Sequence, residues 1–233
     1  MLEAMLTGRK PLPPSDKPVL GFDYNKGVST GSTQTLSSNL STDVVNYGDK
    51  SAGYAKGLSL YNKAITITPM AALSFMETEN FTVEFWVYVD PGPAGYTTFL
   101  TIEYDNGRTF PIRIADSGFG NRLQFSLYAA ILGANWSTPI NRTTFSGGWH
   151  HVAVVRDNGK GRIYYDGQLQ PLAAGTSSSY GASSVDVSQY ALKSISRLSI
   201  GGNAYNVYIP EFAIWIGAKY NANFTPNKGS LVV

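Results

Sequence analysis

The chain has 233 residues, of which 43% are hydrophobic, 13% aromatic and 15% charged, and its formal net charge is +2. This composition is that of a globular protein, and the charge is too small to act as an electrostatic footprint for nucleic acid. The chain contains no cysteine, which excludes disulfide bonds, cysteine-based zinc sites and thiol catalysis.

Residues 1–17 differ from the rest of the chain. Leu2, Met5 and Leu6 have the spacing of one helical face, but the segment is too short for a stable isolated helix. Two interpretations stay open, a disordered terminus and a docking arm that orders against a partner. The start of the chain lacks the uninterrupted apolar core of a signal peptide, and no segment approaches the roughly 20 apolar residues of a membrane span. We therefore expect synthesis in a cytoplasm without an export signal, and no membrane insertion.

Alternation of apolar and polar residues predicts a series of short strands. The clearest one is Phe-Thr-Val-Glu-Phe-Trp-Val-Tyr-Val, in which every second residue is apolar. In chain order, strands are predicted at residues 19–22, 81–89, 99–104, 110–114, 123–128, 149–156, 162–165, 197–200 and 208–216.

Both histidines of the chain lie at the start of a predicted β-hairpin. Asn158 and Gly159 tolerate the positive φ that a tight hairpin turn requires. Successive residues of a strand point to opposite faces of the sheet, so His150 and His151 diverge and cannot hold one metal ion together. In the same strand both sets of alternating positions are apolar, which predicts a central strand covered on both sides.

Many short strands, glycine-rich turns and the lack of a long helical period favour one all-β domain, an antiparallel β-sandwich. We divide the chain into a short extended N-terminal arm at residues 1–17, the sandwich at residues 18–226 and a C-terminal tail at residues 227–233. The arm is the predicted docking segment.

Three segments resemble one known family. FTVEFWVYVD is similar to an F-T-x-E-x-W-V strand, GGWHHVAVVRDNGKGRIYYDG to a W-H-H-V-A-x-x-R hairpin that ends in x-Y-x-D-G, and LSIGGN with YIPEFAIWIGAKYNANFTP to a closing G-G and E-x-x-I-W segment. This order is similar to that of laminin-G-like domains of the concanavalin A-like lectin and glucanase superfamily. The resemblance covers about Val19 to Pro226 and implies a concanavalin A-like jelly roll.

The end of the match resembles one subgroup of the family. GAKYNANFTP is similar to the G-x-A-R-Y-T-x-x-F-T-P ending that is frequent in bacteriophage tail fibres and other virion proteins, with Lys219 in place of the usual arginine. Pro210 stands where many relatives carry an aspartate. Proline lacks a backbone donor, so we expect a sheet edge or a bulge there.

The resemblance also raises the question of catalysis, since the same fold hosts glycosidases. Those enzymes need two carboxylates at a defined separation, and the glucanases present them from an E-x-D-x-x-E strand that this chain lacks. Glu103 and Asp105 share a strand face, but Asp105 belongs to a turn. Glu84 is expected to be structural, a charge paired with a neighbour. We therefore predict a protein that is not an enzyme and uses no cofactor.

Calcium binds many relatives through loop carboxylates. Asp105, Asp116 and Asp157 are the loop candidates here, yet none has a spaced acidic partner. No metal site is predicted.

A sugar site needs aromatic rings and amides on loops. Four residues have these groups in predicted loops, and they are the candidate ligand-binding residues: Trp136, Tyr180, Asn203 and Tyr205.

These observations together predict a non-catalytic virion structural protein of a bacteriophage, a tail fibre or other surface-exposed component, whose lectin-like domain adheres to host surface glycan. The arm would contact other virion proteins, and the chain would form a homo-oligomer or a symmetric array on the particle. Two alternatives stay open: a capsid or tail decoration protein that acts only through protein contacts, and a carbohydrate-active enzyme.

Overall fold

The computed structural model describes residues 14–23, 28–30, 44–46, 54–60, 64–67, 73, 76, 79–91, 97–104, 109–115, 122–128, 133–174, 179–187, 195–201 and 207–232. Within these residues the chain forms β-strands and one short α-helix. They are β1 (Leu20–Asp23), β2 (Val28–Thr30), β3 (Val44–Asn46), β4 (Lys56–Ser59), β5 (Ala64–Ile67), β6 (Phe81–Val89), β7 (Thr97–Tyr104), β8 (Thr109–Ala115), β9 (Arg122–Tyr128), β10 (Gly133–Asn141), α1 (Arg142–Phe145), β11 (Trp149–Asp157), β12 (Lys160–Tyr165), β13 (Gln168–Leu169), β14 (Ala173–Ala174), β15 (Val185–Asp186), β16 (Ile195–Gly201), β17 (Val207–Ile209) and β18 (Glu211–Ile216).

The strands form two sheets. Sheet A has the strand order β13-β12-β11-β6-β17-β4-β3, and β18 joins it by pairing with both β6 and β1. Sheet B has the order β14-β10-β9-β8-β7-β16-β5. The strand pairings among the described residues are antiparallel. The predicted all-β antiparallel sandwich is therefore confirmed. Within the described residues, no helix is long and apolar enough to cross a membrane.

The main hydrophobic core lies between the two sheets. The core includes the side chains of β6 that alternation predicts to form its apolar face. Among them, Val83, Val87 and Val89 are fully buried. The strand β11 contributes Val152 and Val154 to the same core. The outward positions in the middle of these strands, such as Glu84 on β6 and Ala153 and Val155 on β11, are buried as well, which confirms that β11 is a central strand covered on both sides.

The β11–β12 hairpin has the predicted turn. Asn158 and Gly159 have φ values of 48° and 72°, the left-handed conformation at both central positions of a type I′ turn. A second turn also has positive φ at both central residues and connects β12 to β13. The φ of Asp166 is 48° and that of Gly167 is 74°. These two turns set the register of three consecutive strands.

Pro210 divides the strand that was predicted as continuous. It lies between β17, which pairs with β4 and β6, and β18, which pairs with β6 and β1. Opposite β6 the register shifts by one residue, from Tyr208 facing Tyr88 to Phe212 facing Phe85, which is the bulge that was one of the two expectations; the position lies in the interior of sheet A and not at an edge. The missing N–H is tolerated because the ladder is interrupted here: the register with β6 shifts, and on the other side the partner changes from β4 to β1.

The C-terminal strap, defined here as residues 217–232, covers the outer face of sheet A, which is the face turned away from the main core. Two backbone hydrogen bonds attach it: Gly217 N donates to Asn80 O at 2.8 Å, and Phe224 N donates to Gly167 O at 2.9 Å. The strap therefore supplies the second cover of β6 and β11.

The end of the strap includes residues that the sequence predicts to be a tail. Leu231 and Val232 are buried and belong to the same apolar cluster as Trp86 and Trp215 of the outer face. These residues pack on the sheet as part of the domain.

The end of the predicted arm also contacts the sandwich. Ser15 N donates to Ile216 O at 3.0 Å, and Ile216 N donates to Ser15 Oγ at 3.1 Å. Residues 1–13, with the predicted helical face, lie outside the described residues.

The contact between the strap and the β12–β13 turn predicts a strong effect of one methyl group. A Cβ on Gly167 would lie 1.9 Å from Phe224 O, and the φ of 74° disfavours any side chain. We expect Gly167→Ala to lower the free energy of unfolding by at least about 2 kcal/mol, measured by urea denaturation. Gly181→Ala is the matched control, because its Cβ would meet no atom within 4 Å. Equal stability of the two variants would contradict the packing described here.

Candidate functional site

The two histidines lie on opposite faces of sheet A, as predicted. His151 points to the outer face, where its Nε2 is 3.2 Å from Glu84 Oε2. His150 Nδ1 is 2.8 Å from Asp166 Oδ2. Each imidazole therefore has its own carboxylate partner, and the pair does not form one site.

Glu84 is the centre of a buried polar cluster beneath the strap. Its side chain is fully buried, and its oxygens accept hydrogen bonds from Lys219 Nζ at 2.6 Å and Tyr220 Oη at 2.7 Å, in addition to the contact with His151. Burial raises the pKa of Glu84, but the hydrogen bond from His151 and the positive charge of Lys219 outweigh it and hold the pKa below its ordinary value. The expectation of a structural, charge-paired Glu84 agrees with these contacts.

Glu211 forms a second buried carboxylate site under the same strap. Its Oε1 accepts from Gly229 N at 2.8 Å and its Oε2 from Leu231 N at 3.1 Å, and the Tyr54 hydroxyl donates to Oε1. Burial raises the pKa of Glu211, and Asp23, its cross-strand neighbour, raises it further. Motif matching places Glu211 in the closing E-x-x-I-W segment, but only the fold shows that it binds the strap backbone.

Asp23 and Glu211 are cross-strand neighbours, and glycoside hydrolysis would require such a pair of carboxyl groups to lie in an open cleft. Both side chains are fully buried in the structure, at 0% exposure. Substrate cannot reach them in this state, so they cannot act as an acid and a nucleophile on a sugar.

His150 and Asp166 have the mutual geometry of two members of a catalytic triad. A third member would be a hydroxyl at Nε2. A Cβ built on Gly148 would be 3.2 Å from this Nε2, and among the described residues no hydroxyl is hydrogen-bonded to it. The ring stacks on Tyr165 with centroids 4.9 Å apart, and Asp166 Oδ1 also accepts from the backbone of the following histidine. This arrangement fixes the β12–β13 turn.

The calcium candidates give no metal site in the described part of the chain. Asp157 Oδ2 accepts from Arg162 Nη1 at 2.9 Å, and its Oδ1 accepts from Asn158 Nδ2 at 3.0 Å. Asp105 and Asp116 lie outside the described residues. Within the described residues, no group of three metal-binding side chains comes together.

The structure describes two of the four predicted ligand-binding residues. Trp136 lies on β10, opposite Phe125, and its side chain is 6% exposed in the main core, so its expected loop position is wrong. Tyr180 is half-buried, with the guanidinium carbon of Arg122 at 5.0 Å from its ring centroid. Asn203 and Tyr205 lie outside the described residues.

A row of three aromatic side chains crosses the outer face of sheet A. Trp149 on β11 pairs with Tyr88 on β6, and Tyr88 pairs with Tyr208 on β17. The ring centroids are 5.5 Å apart for the first pair and 6.0 Å for the second. All three residues are half-buried. We call them the aromatic row.

Polar and apolar groups border the aromatic row at its two ends. At one end, Tyr208 Oη donates to Asp90 Oδ2 at 3.2 Å, and Asp90 is half-buried. At the other end, Trp149 contacts the buried Tyr54, with centroids 4.9 Å apart. Half-exposed aromatic rings beside a carboxylate can stack on the apolar face of a sugar and accept bonds from its hydroxyl groups.

The sequence predicts that each member of the aromatic row lies on a strand, but it does not predict that the three residues are neighbours. Alternation puts Tyr88 on the outward face of its strand, and the same rule applies to Trp149 and Tyr208. That their strands are neighbours is decided by long-range pairing, which no local pattern reports.

The charge state of Glu84 predicts how stability depends on pH. Because its pKa is lowered in the fold, its contribution is present above the ordinary value of 4.5 and is lost as the pH falls through the folded pKa. Glu84→Gln should lower the free energy of unfolding at pH 7 by about 2–4 kcal/mol and reduce its loss on acidification. Urea titrations at pH 7 and pH 4 measure both effects.

The control for this variant is Asp186→Asn, which removes an exposed ion pair with Lys160. It should cost less than about 1 kcal/mol. A Glu84→Gln variant as stable as this control would show that the buried cluster does not hold the strap.

Comparison with known proteins agrees with the fold. The model of the concanavalin A-like lectin/glucanases superfamily, a laminin-G family, matches residues 59–222. A comparison with curated proteins gives no significant match.

Three solved structures are similar in fold. The structure described as "HCR/D-Sa-GBL1/C" has a TM-score of 0.58 at 14% identity, over 87% of this chain and 49% of that chain. The binding domain of botulinum neurotoxin DC in complex with SialylT has a TM-score of 0.56 at 14% identity, over 88% and 49%. A carbohydrate esterase from the Shiga toxin-encoding bacteriophage phi24B has a TM-score of 0.52 at 14% identity, over 88% of this chain and 100% of that chain.

These structural likenesses show the fold alone, since the identities are 14%. The chain spans about half the length of the first two structures. The family model covers far more than half of the chain, so the chain belongs to the concanavalin A-like lectin/glucanases superfamily, with a laminin-G-like domain.

Proposed function

We propose that the protein is a non-catalytic glycan-binding component of a bacteriophage virion, which attaches the particle to a polysaccharide of the host surface. The observation that carries this proposal is the aromatic row, three half-buried rings on neighbouring strands of one sheet face. Sugar-binding surfaces use aromatic rings for the apolar faces of sugars and a few polar groups for orientation.

The state of the carboxylates supports binding rather than catalysis. Glu84 and Glu211 are fully buried, and their oxygens are occupied by donors from the strap. Asp90, beside the row, accepts from the Tyr208 hydroxyl. A glycosidase would need an acid and a base that both reach the substrate, whereas a binding site needs acceptors beside the rings.

The virion context rests on two further observations. The ending at residues 217–226 resembles that of phage tail-fibre and virion domains, and a bacteriophage protein has this fold over its whole length. Residues 1–17 would attach the domain to other virion proteins. Repeated copies on a symmetric particle would strengthen a weak contact with sugar through multivalency.

Binding of the isolated domain to purified bacterial surface glycans tests the proposal. With immobilised lipopolysaccharide, capsular polysaccharide and peptidoglycan, we expect binding to at least one of them. Tyr208→Ala should weaken it about tenfold, because one stacking ring is lost. Tyr208→Phe keeps the ring and should retain most of the affinity.

Leu169→Ala is the control, since Leu169 is half-buried at a different part of the outer face. The proposal fails if no glycan binds, or if Leu169→Ala weakens binding as much as Tyr208→Ala does. Saturating occupancy on phage particles without any glycan binding would instead indicate a decoration protein.

A further inference from the structure

We infer that the aromatic row of one copy of this chain binds the proline-rich segment of a second copy, defined here as residues 9–13. The inference goes beyond the proposed glycan binding, because it gives the same row a protein ligand that the chain itself supplies. The segment and a glycan then compete for the row. Four observations carry the inference: the conformation that the segment favours, the surface of the row, the charges at its ends and the reach of the segment.

The proline-rich segment has a sequence that favours a polyproline II helix. It reads Arg-Lys-Pro-Leu-Pro and is followed by a further proline. The backbone φ is fixed at Pro11 and Pro13. Lys10 and Leu12 each precede a proline, which biases them to the extended region. A segment that is already extended when free loses little conformational entropy on binding, and aromatic-lined surfaces bind proline-rich segments for this reason.

The aromatic row has a stepped surface of the kind to which such a helix binds. The plane of Tyr88 is inclined by 62° to that of Trp149 and by 73° to that of Tyr208, so neighbouring rings meet edge to face. Their centroids are 5.5 Å and 6.0 Å apart. Two residues of a polyproline II helix rise by about 6.2 Å, and with three residues per turn two of every three side chains face one surface. Pro11 and Pro13 are therefore spaced to pack against neighbouring steps of the row.

The two ends of the row differ in charge. At one end, the Asp90 carboxylate accepts a hydrogen bond from the Tyr208 hydroxyl. At the other end, Tyr54 contacts Trp149 with ring centroids 4.9 Å apart. Nζ of the exposed Lys228 lies 5.7 Å from the Tyr54 centroid. The row thus runs from an anionic end to a cationic end.

These charges give the segment one direction on the row. Arg9 and Lys10 begin the segment and bring two positive charges, which pair with Asp90. The helix rises by about 9.3 Å from Lys10 to Pro13, and the outer rings of the row lie two strands apart, roughly 9.6 Å. The apolar residues therefore extend from the anionic end to the cationic end. The opposite direction would bring both cations of the segment next to Lys228.

The segment leaves its own sandwich at a defined place. Pro14 lies against Gly217, since a Cβ on this glycine would be 2.9 Å from Pro14 Cα. The next residue, Ser15, donates from its backbone N to Ile216 O at 3.0 Å. Ile216 pairs with Phe81, the first residue of β6. The segment therefore departs from the sandwich where β6 begins.

The aromatic row lies near the other end of β6, beyond the reach of the segment in the same chain. Tyr88 is seven residues after Phe81, which is about 23 Å along a strand. The apolar residues of the segment lie within three residues of Pro14, and so at most about 11 Å from it. A segment on the row therefore comes from another copy. Because each copy has one segment and one row, exchange between copies forms a closed oligomer.

Sedimentation velocity of the full chain tests the inference. We expect self-association that depends on protein concentration. Pro11→Ala/Pro13→Ala should raise the dissociation constant at least about tenfold, because the segment loses its fixed φ values. Tyr208→Ala should have a similar effect, because one ring of the row is lost.

Leu169→Ala is the control, since it lies at a different part of the outer face and should leave the dissociation constant unchanged. A full chain that stays monomeric up to about 100 µM overturns the inference. Association that is as tight with the two alanines in the segment, or that is weakened as much by Leu169→Ala as by Tyr208→Ala, also overturns it.

A mixture of two variants shows whether the contact joins two copies. Pro11→Ala/Pro13→Ala keeps the row, and Tyr208→Ala keeps the segment. Fluorescently labelled Tyr208→Ala should bind the first variant in a saturable titration measured by anisotropy, and should not bind unlabelled Tyr208→Ala. No binding in the first titration, or equal binding in the two, overturns the inference.

The failures of the inference and of the proposed function differ. A monomeric chain that binds a surface glycan overturns only the inference. A chain whose association depends on Pro11, Pro13 and Tyr208 but that binds no glycan overturns only the proposed function.

Discussion

The interaction on which this domain depends is the attachment of the strap to two buried carboxylates on the outer face of sheet A. Glu84 accepts from two strap side chains, and Glu211 accepts from two strap backbone amides. A buried carboxylate without such donors would be costly, and backbone amides without an acceptor would be as well. The strap and the sheet thus satisfy each other's polar groups, and the strap covers most of the outer face of β6 and β11.

This cover also defines the surface that remains for recognition. Residues Trp86 and Trp215 lie in the buried cluster with the strap, whereas Tyr88, two residues after Trp86 on the same face, is half-buried. The aromatic row therefore begins where the strap cover ends. A rigid, doubly covered sheet holds its rings in fixed positions, which limits the entropy lost when a ligand binds. The superfamily membership is shown, and the attachment of sugars at this row is our proposal.

Several features could be predicted from local sequence because they depend on neighbouring residues alone. Strand periodicity, the Asn158–Gly159 turn and the divergence of His150 and His151 follow from backbone geometry that acts over a few residues. The wrong prediction of a loop at Trp136 also has its cause in the local sequence. Its strand, β10, contains Gly133, Asn135 and Pro139, residue types that are rare in strands, so the segment resembles a loop, although Trp136 and Ile140 alternate with polar residues and pairing with β9 and β14 makes it a buried strand.

By itself the sequence determined the fold class, the laminin-G-like resemblance and the structural character of Glu84, since alternation, turn residues and spaced motifs are recorded along the chain. Tertiary structure alone decided that Glu211 binds the strap and that Trp149, Tyr88 and Tyr208 form one row. The physical reason is that side-chain direction is set within a strand, whereas the neighbour of a strand is set by pairing between residues far apart in the chain. A site built across three strands is therefore not visible in any one of them.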